Sequence, residues 1–103
     1  MTKELITAAA GVSTIVSNIV TTYAEMKIVR QEKMVQLKAQ IKKCNAIAIS
    51  NSKAEVVMNN INNIAKVQKC IDDNHFTGAT QEMAMKQLYA LNNSLIELLK
   101  VFD

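Results

Sequence analysis

His75 is the chain's only histidine, and it stands beside Asp72, Asp73 and Asn74. An imidazole among carboxylates can serve as a general acid–base group or donate to a metal. One histidine with two adjacent carboxylates matches no standard ligand spacing, however, and the local sequence supplies no convergent partner. Cys44 and Cys70 stand too far apart for a zinc or redox pair. There is no Gly-rich phosphate loop, no Ser-centred nucleophile motif and no Cys/His pairing at a recognisable interval. The residues therefore predict a chain that is not an enzyme, with no catalytic residue, no metal site and no cofactor. His75 reads as a loop histidine. Cys44 and Cys70 read as small buried hydrophobes, reduced in a cytoplasmic protein.

The elements that would position any site follow from composition. The chain has 103 residues, half of them apolar and 4% aromatic, with no Pro and Gly only at positions 11 and 78. Breakers are too few for the many turns of an all-β fold, which leaves an all-α protein of one domain. The net charge is +3, and every basic residue except Arg30 is a lysine. Sequence-reading DNA sites lean on arginine, and Lys27, Lys33, Lys38, Lys42 and Lys43 spread around a helix without interleaved aromatics. Nucleic acid is accordingly disfavoured as a partner, beyond weak nonspecific binding through the Lys-rich middle. A short, Lys- and Asn-rich helical chain is compatible with the small accessory proteins of bacteria and their mobile elements.

Thr2 is a candidate N-cap with Glu4 in the first turn, and no breaker except Gly11 follows before Ser50. This predicts one helix from about Lys3 to about Ile49, on the order of 70 Å long. At 100° steps Leu5, Val12, Ile15, Val16, Ile19, Tyr23, Met26, Met34, Leu37, Ile41 and Cys44 share one arc. Recurrences at eleven residues, such as Val12, Tyr23 and Met34, suggest a nearly straight rod. Arg30 interrupts the arc, either snorkelling toward Asp72 and Asp73 or meeting an acidic group on a partner. Ser52 with Glu55 matches a capping box, opening a second helix to Ile71. Val57, Ile61, Ile64 and Ile71 form its apolar face, and Asn59, Asn60, Asn62 and Asn63 a solvated flank. Residues 72–79 form a polar loop. A third helix follows to about Phe102, with Ala84, Leu88, Leu91, Leu95 and Leu98 in line.

Matching the rises of these helices makes residues 29–103 a three-helix bundle and leaves residues 3–28 of the long helix overhanging. Under that pairing Cys44 and Cys70 lie about 16 Å apart, beyond the roughly 7 Å limit for a bridge. The overhang has no charge from Leu5 to Ala24, and its less apolar side carries Thr7, Thr14, Ser17, Asn18 and Thr21. A helix facing water normally carries Lys and Glu there. The expected function is therefore a protein–protein interaction module that self-associates or docks on another protein. Its interface would be Leu5, Ala9, Val12, Ser13, Ile15, Val16, Ile19, Tyr23, Met26 and Arg30. Two alternatives compete. Residues 5–24 could instead anchor the protein in a membrane, an inner-membrane location with Lys27, Arg30 and Lys33 on the cytoplasmic side. Or the long helix could break near Thr21 and Thr22, where β-branched residues weaken it, and fold back into a four-helix bundle.

Overall fold

A computed structural model of the chain describes residues 2–23, 27–48, 52–73 and 78–102. These form four helices and, among the described residues, no strand: α1 Lys3–Thr22, α2 Lys27–Ile47, α3 Ser52–Asp73 and α4 Gly78–Phe102. The start of α1 is the capped one the sequence announces. Thr2 is extended, its hydroxyl accepts from the amide of Leu5 at 3.2 Å, and Glu4 lies in the first turn. α3 begins at Ser52 with Glu55 in its first turn. α4 begins inside the stretch read as a polar loop, at Gly78, whose φ of +47° suits a residue without a Cβ.

The expected single rod from Lys3 to Ile49 is instead two helices folded back on each other, so the bundle has four helices and no overhang. α1 ends at Thr22, where Thr21 donates to the Ser17 carbonyl at 2.9 Å and Thr22 to the Asn18 carbonyl at 2.6 Å. Packing explains why the chain turns back. Leu5, Val12, Val16 and Ile19 are all 0% exposed, and each such side chain contributes about 1.5–3 kcal/mol on burial. A continuous helix would leave that stripe in water to save a few backbone hydrogen bonds. The described residues span 39 × 20 × 19 Å, and the 25 residues of α4 alone account for about 38 Å at 1.5 Å each, so all four helices lie along the long axis.

α1 neighbours α2 and α4, α3 neighbours α4 and α2, and α1 also meets α3 across the middle. The order around the bundle is α1, α2, α3, α4, with successive helices antiparallel. Each seam is stitched by one side-chain amide. Gln40 Nε2 of α2 donates to the Ala8 carbonyl at 3.1 Å, and Gln68 Nε2 of α3 to the Met34 carbonyl at 3.1 Å. Asn60 Nδ2 of α3 donates to the Leu91 carbonyl at 3.3 Å, and Asn92 Nδ2 of α4 to Ser17 Oγ at 2.9 Å. Asn60 is thus buried rather than part of a solvated flank, while Asn59, Asn62 and Asn63 are exposed. The Oδ1 atoms of Asn60 and Asn92 are buried without a hydrogen-bond partner. Half-satisfied amides cost stability, and at core positions they fix register. Gly11 has a similar logic, because a Cβ there would meet Gln40 Nε2 at 2.9 Å. The glycine leaves room for the Gln40 amide to cross α1.

Candidate docking surface

With its apolar stripe turned inward, α1 presents its other side to solvent. Thr7, Ala10, Thr14, Asn18 and Thr21 are exposed, Ser17 is half-buried, and no charge occurs between Leu5 and Tyr23. Positions 7, 10, 14, 17 and 21 recur by threes and fours, which makes them one straight strip along the helix. The threonines hide their polarity. Thr7 donates to the Lys3 carbonyl at 3.0 Å and Thr14 to the Ala10 carbonyl at 3.1 Å, as Thr21 does to Ser17. Back-bonding of this kind satisfies the hydroxyl locally, so the strip can be covered without stranding a donor.

α4 forms the wall beside the strip, and two open grooves lie along the seam. Toward the start of α1, Ile6, Ala10, Ser13 and Thr14 face Ile96, Leu99 and Lys100 across about 330 Å³. Toward its end, Val20 and Tyr23 face Glu82, Met85, Lys86 and Tyr89 across about 450 Å³. Both tyrosines of the chain therefore line one groove. Between the grooves the Asn92–Ser17 hydrogen bond ties the two helices together. Periodicity alone gave no hint of this α4 wall, because it depends on how α1 and α4 are staggered.

The interface residues expected from the sequence are distributed as follows. Leu5, Ala9, Val12, Ser13, Val16 and Ile19 are buried in the chain's own core, and Ile15 and Tyr23 are partly buried against it. Arg30 is buried on α2, at 7% exposure, rather than snorkelling into solvent. Met26 lies outside the described residues, as does His75. Among the described residues no group of three His, Cys, Asp or Glu side chains could hold a metal ion.

Cys44 is buried and Cys70 exposed, and no disulfide joins them. Burial pushes the Cys44 thiol from its ordinary 9.0 up to about 11, with Lys43 pulling weakly the other way. A thiol raised in this way is stabilising below about pH 9, and that stability is lost as the pH rises toward 11, because the unfolded chain ionises first. Native protein at neutral pH is expected to alkylate at Cys70 while Cys44 reacts only as fast as the bundle opens. Mass spectrometry of timed labelling checks this, and equal rates at the two thiols would contradict the buried position. Burial also raises the Asp72 carboxyl, against Lys38, which lowers it, and with Asp73, which raises it further.

Comparison with models of protein families, with curated proteins and with solved structures finds no match for this chain.

Proposed function

We propose that this chain is a non-enzymatic cytoplasmic protein that works by protein–protein contact, as an adaptor, inhibitor or assembly accessory. It associates with a second copy, or with another protein, through the outer strip of α1 and the α4 wall beside it. The observation that carries this reading is the exposed, uncharged face from Thr7 to Thr21. A helix side left to water normally carries Lys and Glu. Small residues there let another backbone approach closely, and the satisfied threonine hydroxyls lose nothing when water leaves. The strip from Thr7 to Thr21 is about 21 Å long at 1.5 Å per residue, so the α4 wall has to supply the rest of the roughly 800 Å² per partner buried in a stable interface.

The test is Thr14→Lys, which puts a charge at the centre of the strip without touching the core. Wild type is expected to sediment above its 11.4 kDa monomer mass and the variant at that mass. The variant's stability should stay within about 0.5 kcal/mol of wild type, as for surface substitutions generally. A wild type that stays monomeric at high concentration would remove self-association, and an unchanged assembly in Thr14→Lys would remove the strip.

A second reading rests on a separate observation. Among the described residues α1 is the one helix long and apolar enough to cross a membrane by length and composition. Inner-membrane association would require α1 to leave the bundle and expose the side chains it covers. Fractionation of untagged protein separates the readings, since pelleting with membranes favours the second.

A further inference from the structure

α2 differs from the other three helices in charge. Lys3 balances Glu4 in α1, three lysines balance Glu55, Asp72 and Asp73 in α3, and Lys86 and Lys100 balance Glu82 and Glu97 in α4. α2 carries Lys27, Arg30, Lys33, Lys38, Lys42 and Lys43 against Glu32 alone. The chain's positive excess is therefore carried by α2, with Arg30 buried there. Lys38, Lys42 and Lys43 are exposed, and the ion pair seen among the described residues, Lys100 with Glu97, involves none of them. Asp72 and Asp73 of α3 line a groove together with Lys38, whereas Lys42 and Lys43 do not line it.

The same face carries apolar residues in a line. Ile28 is 61% exposed and Val35 69%, and Ala39 and Ala46 are exposed as well. Spaced by seven, four and seven, these positions fall within about 40° of one another at 100° per residue, pointing away from the core. Lys38 and Lys42 border the line on one side. Lys43 and Glu32 border it on the other.

We propose that the outer face of α2 is a docking site for an acidic amphipathic helix of a partner protein. An aliphatic line at heptad-like spacing accepts the ridge of a second helix, and bordering lysines select Glu and Asp at the partner's flanking positions. Charge makes the choice among occupants. A second copy of α2 is repelled. A nucleic acid would use the lysines but gain nothing from Ile28 and Val35, since phosphate contacts are electrostatic. A lipid surface calls for bulky apolar residues, whereas half of this line is Ala39 and Ala46. The site lies on a different helix from the strip proposed above and does not depend on it.

The test titrates the full-length protein, at physiological salt, against a synthetic helical peptide with Leu in its apolar line and Glu flanking it. A Lys-flanked twin, duplex DNA and phosphatidylserine vesicles complete the set. Wild type should bind the Glu-flanked peptide at least about tenfold more tightly than its twin. Combined Lys38→Glu, Lys42→Glu and Lys43→Glu should reverse that preference. Combined Ile28→Ser and Val35→Ser, which keeps every charge, should weaken the acidic peptide about tenfold. Thr14→Lys should bind the peptide as wild type does, and circular dichroism confirms that each variant is folded. Equal affinity for the two peptides would overturn the proposal, as would stronger binding to DNA or vesicles. So would unchanged peptide binding after the two serine substitutions, because attraction would then be charge alone.

Discussion

Val12→Asp is expected to unfold the chain. Val12 is 0% exposed in the middle of α1, with the core on its inner side, and a carboxylate is too short to reach water from there. The substitution forfeits about 1.5–3 kcal/mol of side-chain burial. It also leaves an unpaired buried charge, or forces its protonation, at a cost of several kcal/mol more. A domain of this length has about 5–15 kcal/mol in total. Far-ultraviolet circular dichroism should show most helicity lost at 25 °C, or a urea midpoint close to zero. A variant with wild-type helicity and a cooperative melt within a few degrees of wild type would mean that α1 stands outside the bundle. The overhanging-helix architecture makes that opposite forecast, so this variant discriminates the two folds.

Why the sequence pointed to that other architecture can be traced to particular residues. Features with a local signal were legible: the Thr2 cap, the start at Ser52 with Glu55 in the first turn, and the inward faces of α3 and α4. Val57, Ile61, Ile64, Leu88 and Leu95 are all fully buried where their spacing put them. The separation of α1 from α2 has only one local signal, the β-branched pair Thr21 and Thr22 where α1 ends, which is the break the four-helix alternative required. No Gly or Pro marks it, and Glu25, Met26 and Lys27 are good helix formers. The apolar phase continues across it too, Val12 and Met34 sharing one arc, since both helices turn the same kind of face to the core. The turn is decided by tertiary burial of the Leu5-to-Ile19 stripe, which local propensity does not encode. The seam amides were hidden for the same reason. Nothing near Asn60 distinguishes it from exposed Asn59, because its value depends on where Leu91 of another helix lies. For the candidate surface, the neutral threonine strip was legible on α1, but its α4 wall was not.

Among the described residues α2 sets the fewest apolar side chains in or against the core. Its inner face places Met34, Leu37, Ile41 and Cys44 in the core, and much of the rest of the helix is charged, amide or exposed. Leu37 is the largest of these that is 0% exposed. Leu37→Ala removes its transfer free energy and leaves a cavity, together about 2–5 kcal/mol, up to half of the stability of a typical domain this size. The loss should not be spread evenly. The α3–α4 pair keeps Val57, Ile61, Ile64, Leu88 and Leu95, and α1 keeps its packing on α4, so α2 should open first. Urea unfolding gives the global cost, and native-state hydrogen exchange should show amides of α2 losing more protection than those of α3. An acidic helix bound on the outer face of α2 should restore part of that protection, because a ligand that requires the folded helix stabilises it by mass action. Leu37→Ala within 1 kcal/mol of wild type, or protection lost uniformly across the four helices, would show that α2 is bound into the core more firmly than its buried residues indicate.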